Sequence, residues 1–134
     1  MELLNKLKQG NYAIIASNGY SSYDNGIRPV IDRINEDLSF FKDLIVADKI
    51  IGKASAMLLC LSGVKEVYCV VLSKAGESIL KEYNVTYHYE NLVDYIVNRK
   101  GDGMCPMEKT VENINDLNEA YEALNRKIKE INNG

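Results

Sequence analysis

The stretch that decides the fold is Leu44–Leu72, LIVADKIIGKASAMLLCLSGVKEVYCVVL. It divides into an apolar run of strand length, LIVAD, a helical piece, KIIGKASAMLLCLSG, and a second apolar run, VKEVYCVVL. From Ala54 to Leu61 the only hydroxyl is Ser55; the rest is Ala, Met, Leu and Cys. A helix that is apolar all round is covered on every side. Two apolar runs joined by such a helix predict parallel strands with a right-handed crossover. Ligands of open α/β sheets sit beyond the carboxyl ends of their strands. Here that edge falls at Asp48-Lys49-Ile50-Ile51-Gly52-Lys53, three charges and a glycine at a helix start.

Upstream, Leu3, Leu4 and Leu7 share one face of a short helix that stops at Gly10. Tyr12–Ala16 reads as a strand, Asn18-Gly19 as a hairpin turn, and Tyr20–Asp24 as a polar return strand near a sheet edge. Pro29 suits the first turn of a helix over Arg28–Leu38, with Val30, Ile31, Ile34 and Leu38 on its apolar face. Phe40 and Phe41 plug that helix onto the sheet. Downstream, Ser73 is an N-cap for a helix burying Ile79, Leu80 and Tyr83, and Val85–Tyr89 is the last strand, with His88 at its middle either a packing residue or a ligand contact. The order αββαβαβαβ predicts an α/β protein, a three-layer α/β/α sandwich around a mixed five-stranded sheet. Residues 1–134 read as one domain, with 106–131 a C-terminal helical segment. In that segment Met107, Val111, Ile114, Leu117, Tyr121, Leu124, Ile128 and Ile131 form one apolar stripe, with a break near Asn113–Asp116. The stripe serves either packing on its own domain or, from Leu117 on, a homodimer seam with heptad-like spacing.

Bulk properties narrow the classes. Sixteen basic and 19 acidic residues leave a net charge of −3, which gives no general attraction to nucleic acid or to an anionic membrane. No apolar run approaches the ~20 residues of a membrane span, and the N-terminus lacks the apolar stretch of a signal peptide, so the chain reads as cytoplasmic. Cys60, Cys69, Cys105 and His88 are the whole Cys/His inventory, widely spaced and without a CxxC, so no metal or other cofactor is expected.

Three segments could carry chemistry. Asn98-Arg99-Lys100-Gly101-Asp102-Gly103-Met104-Cys105-Pro106-Met107-Glu108 is the most unusual. Pro106 fits the first position of a helix, which makes Cys105 its N-cap and Glu108 the partner in a capping box. A thiol there lies at the positive end of a helix dipole, so Cys105 is a candidate nucleophile or redox-sensitive group; the plain alternative is packing under the loop. In the second segment Asp48 either caps the crossover helix or serves as acid or base, while Lys53, one turn in, reaches back to hold an anion. Gly52-Lys53-Ala54-Ser55 lacks the P-loop's earlier glycine and its Ser/Thr after the lysine, which excludes nucleotide hydrolysis of that class. The third is Asp24–Arg28, where Arg28 either binds a carboxylate or phosphate or is an ordinary surface residue.

VADKIIGKASAMLL, GVKEVY and NRKGDGMCPME together resemble an uncharacterised prokaryotic family, domain of unknown function DUF1893. The resemblance runs from Tyr12 to about Val111 and implies a cytidine-deaminase-like fold. It does not imply deamination. Zinc deaminases carry a His or Cys two residues before a Glu at the first crossover helix and Pro-Cys-x-x-Cys at the next. Gly26-Ile27-Arg28 and Ala47–Ile51 supply neither. Two functions compete. One is a metal-independent site for a nucleotide or other small anionic metabolite, with Cys105, Asp48 and Lys53 as the chemical groups and Arg28, Asn98, Arg99 and Asp102 as binding groups. The other is a non-catalytic, homodimeric interaction module with a degenerate deaminase-like site. A thiol sensor built on Cys105 is a third.

Overall fold

The computed structural model describes residues 2–133. Its elements run α1 (Glu2–Gln9), β1 (Ile14–Ala16), β2 (Ser21–Ser22), α2 (Arg28–Glu36), β3 (Ile45–Ile51), α3 (Lys53–Ser62), β4 (Glu66–Ser73), α4 (Lys74–Glu82), β5 (Thr86–Val93), α5 (Pro106–Val111) and α6 (Leu117–Asn133). The five strands form one mixed sheet in the order β2-β1-β3-β4-β5. β1 pairs antiparallel with β2 and β3, while β3, β4 and β5 are parallel. The βαβ unit read from Leu44–Leu72 is the centre of this sheet, as expected.

Local chemistry explains most of the boundaries. Gly19 takes a positive φ of 97° in the β1–β2 turn, and Asn18 Oδ1 accepts the Tyr20 N–H at 3.0 Å. Pro29 lies in the first turn of α2, which buries Val30, Ile31 and Ile34. That helix ends at Glu36, so Leu38 is not on its apolar face but 50% exposed in the connection. Phe41 is fully buried, meets Phe40 edge-on at 4.8 Å, and donates its N–H to Ser62 Oγ at 2.8 Å. Gly63 ends α3 in the left-handed region, with φ 88°. Ser73 caps α4, its Oγ accepting the Gly76 N–H at 3.0 Å.

β3 and β5 both run past the ends read from the sequence, for one reason. β3 continues through Lys49, Ile50 and Ile51, because Ile50 and Ile51 pair with Val71 and Leu72 of the long neighbour β4. β5 likewise continues to Val93, in register with Leu72 and Ser73. An apolar run does not mark where pairing stops; the partner strand does.

The layers are uneven. On one face α2, α3, α4, α5 and α6 pack into a single core with Val46, Ile51, Val67 and Leu72 of the sheet. On the other face α1 alone among the described residues covers the sheet, Leu4 and Leu7 meeting Ile15 and Ala47. The covered helix is α3, which touches α2, α4, α5 and α6. The apolar stripe of the tail breaks between α5 and α6, where the sequence placed the break. Within α6, Ala120 and Leu124 are fully buried, and Leu117, Tyr121 and Ile128 pack on the same core. From Leu117 to Ile128 the stripe thus packs on its own domain, while Ile131 at its end is 53% exposed. Among the described residues no helix is long and apolar enough to cross a membrane. Leu124→Ala is expected to cost about 2–5 kcal/mol in a urea titration; wild-type stability would show that α6 is not part of the core.

Candidate functional site

The sheet edge beyond β3 and β4 is built around Gly52. It is the N-cap of α3 and holds extended backbone with no side chain to satisfy the helix's first N–H groups. Those donors are taken by Glu108 of α5. Its Oε1 accepts the Lys53 N–H at 2.7 Å and its Oε2 accepts the Ala54 N–H at 2.9 Å. Glu108 is only 8% exposed. Burial pushes its carboxyl above the usual range, and the two N–H donors and the Lys53 charge oppose that shift. A side chain at position 52 would overlap the Glu108 carboxylate and stand 2.8 Å from Ile96 Cγ1. Gly76 of α4 approaches from the other side; a Cβ there would lie 3.0 Å from the Gly52 carbonyl carbon. The first turns of α3, α4 and α5 therefore converge on one glycine.

This overturns two expected roles. Glu108 is not half of a capping box with Cys105: the Cys105 side chain makes no cap hydrogen bond, and the carboxylate reaches across to a different helix. Nor does Asp48 cap α3. It lies within β3, four residues before the helix N-cap, and its Oδ1 accepts the Ile50 N–H at 3.1 Å.

The remaining candidates disperse. Lys53 is the first residue of α3, not one turn in, and its ammonium donates to the Glu112 carbonyl at 3.1 Å. Arg28 opens α2 and faces Asp32, with Nε 3.7 Å from Oδ2 on an exposed surface. Asn98 and Asp102 hold each other in a closed loop tip. Asn98 Nδ2 donates to Asp102 Oδ1 at 2.8 Å, and Asn98 Oδ1 accepts the Gly101 N–H at 2.8 Å. Arg99 is exposed on that tip, whose base is the Val97–Met104 bridge. Cys105 is half-buried, its backbone N–H donating to Ile96 at 2.9 Å. Among the described residues no hydrogen bond or ion pair joins Asp48 to Lys53 or to Cys105.

Asp48 is nevertheless unusual. It is 8% exposed, and burial pushes its carboxyl up to about 7 against the pull of the Ile50 and Lys49 N–H groups. Its register partner is Cys69, whose thiol is pushed up to about 12 by burial and by the Asp48 charge. On the α1 face, Glu66 accepts from Tyr68 Oη at 2.7 Å and lies 2.9 Å from His88 Nε2; these bonds hold its carboxyl below the ordinary range. Tyr68 and His88 stack at 4.3 Å. Sequence reading missed Glu108's partner and Gly52's role. The available signal was that Gly52 and Glu108 belong to the two most distinctive segments of the chain.

The profile of a family described as "Domain of unknown function (DUF1893)" matches residues 2–128. The chain belongs to this family. Among solved structures it is similar to that of a DUF1893 family protein (TM1506) from Thermotoga maritima at 2.70 Å resolution. The two share 25% identity with a TM-score of 0.86 over 94% of this chain and 87% of the other. None of the curated proteins matches.

Glu108→Ala is expected to destabilise the fold by about 2–3 kcal/mol, through loss of charge-assisted bonds to one buried and one half-buried donor. Glu108→Gln recovers little of this, since an amide offers one acceptor and sets its NH2 against the second N–H. Gly52→Ala expels the same carboxylate, so in a double-mutant cycle the two losses add to less than their sum. Strict additivity by chemical denaturation would show that the contact is not made in solution.

Proposed function

We propose that this member of the DUF1893 family works as a non-catalytic interaction domain whose deaminase-like sheet edge is closed by its own carboxylate. The observation that carries this reading is the pair of bonds from Glu108 to the Lys53 and Ala54 N–H groups. A helix N-terminus is where an α/β protein ordinarily takes a phosphate or carboxylate from a ligand. Here the chain supplies the anion, packs it against Gly52, and commits the neighbouring Lys53 ammonium to a backbone carbonyl. An anionic metabolite would have to displace a buried side chain to use the site.

Thermal-shift measurements with a panel of nucleotides, inorganic phosphate and small carboxylates test this. A ligand at 100-fold its Kd stabilises by about 2.7 kcal/mol, ample to move a melting transition. Wild type is expected to be unmoved, whereas Glu108→Ala, with α3 uncapped, gains stability from phosphate. A wild-type shift that disappears in Lys53→Ala would overturn the reading.

A metal-independent small-molecule site is the second reading, and Asp48 is the observation that favours it. A buried carboxyl that titrates near neutrality is a frequent mark of a functional group. Its folded-state pKa, about 7, lies well above the ordinary aspartate range, so the folded chain holds the extra proton. The stability this contributes is complete below about pH 4, falls as pH rises, and is gone above about pH 7. Wild type is expected to melt lower at about pH 8 than at about pH 5, by an amount on the order of 5 °C beyond any change in Asp48→Asn. Equal pH profiles for the two proteins would show that Asp48 is not the buried acid described.

A further inference from the structure

The strand β5 is the open edge of the sheet, and it lacks the usual protection. It pairs with β4 on one side only, spans eight residues, and is exposed or half-buried throughout. Natural edge strands are blunted by lysine, proline, bulges or a covering segment. TYHYENLV has no lysine, proline or glycine, and its one charged carboxylate, Glu90, is held by Lys8 of α1.

The direction of its open backbone groups can be fixed. The Cys69 thiol donates to the His88 carbonyl at 3.5 Å, so that carbonyl faces β4. Every peptide bond described is trans, so the next N–H, that of Tyr89, points the opposite way, to the open side. By strand alternation Tyr87 and Tyr89 each present an N–H and a C=O outward. We infer that β5 pairs with β5 of a second copy of this chain, antiparallel about a two-fold axis at Tyr89, to make a continuous ten-stranded sheet. This inference rests on the interaction-domain reading above and names its partner.

Charge complementarity selects the second copy and the register. A two-fold axis perpendicular to the sheet keeps each face on its own side, so the register can change only in steps that keep odd residues opposite odd ones. With Tyr89 at the axis, Tyr87 lies opposite Asn91 and His88 lies opposite Glu90 of the second copy. On the α1 face this gives the row Glu66, His88, then Glu90 and Lys8 of the second copy, in which acid and base alternate. The row extends two pairings each copy already makes, His88 with Glu66 and Lys8 with Glu90. Moving the axis to Glu90 sets two carboxylates face to face, and moving it to His88 sets two imidazoles face to face; like groups directly opposite disfavour both. Tyr89, 42% exposed in the single chain, is covered by its own copy across the axis.

The test reads both assembly and register. Analytical ultracentrifugation of the full chain is expected to show twice the monomer mass. Tyr89→Pro removes an N–H that the domain itself does not use and blocks pairing, so it is expected to be a folded monomer. His88→Glu, on an exposed side chain, weakens association by about tenfold through two like-charge contacts. For the register, Tyr89→Cys in a Cys105→Ser background places two thiols opposite each other at a Cα separation of about 5.5 Å, within disulfide reach. Mild oxidation then gives a covalent dimer, while Asn91→Cys, offset from the axis, does not. A wild-type monomer, or a dimer indifferent to Tyr89→Pro and His88→Glu, overturns the inference. Cross-linking at position 91 in preference to 89 overturns the register. A failed dimer leaves the closed sheet edge standing, since that is judged separately by ligand shifts on wild type and Glu108→Ala; a wild-type ligand shift sinks the underlying reading instead.

Discussion

The carboxylate of Glu108 on the first turn of α3 is the interaction on which the rest of the structure depends. α3 is apolar all round and surrounded by other helices, so its leading N–H groups, half-buried at Lys53 and buried at Ala54, have little access to water. Buried donors without acceptors cost more than any ordinary bond contributes. Gly52 is the N-cap and has no side chain to offer. The acceptor comes instead from a residue 55 positions after Lys53, and its arrival fixes α5, the loop before it and, through α5, the start of α6. The same contact explains the glycine, because a Cβ at position 52 would stand where the carboxylate lies.

The uneven layering follows from where the helices go. α2 to α6 share one core on one face of the sheet, leaving an eight-residue helix to cover the other. The last strand receives little cover from either side. One end of the domain is thereby closed by its own side chain while one edge is left open. A closed sheet edge argues against ligand chemistry at that place, and an open strand argues for pairing with another chain.

Much of the fold was legible because it depends on local rules. Ser73 as a cap, Pro106 at the first position of α5, the break between Val111 and Leu117, and the buried character of α3 are all set within a few residues of themselves. The site was less legible. Asp48 looked like a helix cap because it is a favoured capping residue directly after the apolar run LIVA; β4, not the local sequence, decides that the strand runs through Ile51. Glu108 looked like the third residue of a capping box because its spacing from Cys105 fits one. Only packing reveals that a helix with stronger need of an acceptor lies within reach.

The sequence by itself determined the class of the molecule: the order of helices and strands, the covered crossover helix at its centre, and two distinctive segments around Gly52 and Glu108. These follow from periodicity, capping chemistry and turn residues, which act over a few positions. Tertiary structure alone decided that those two segments bind each other, that Asp48 is a buried strand residue opposite Cys69, and that β5 pairs on one side only. Such outcomes depend on which donors, acceptors and strand edges remain once the core has closed, and no short-range pattern records what is left over.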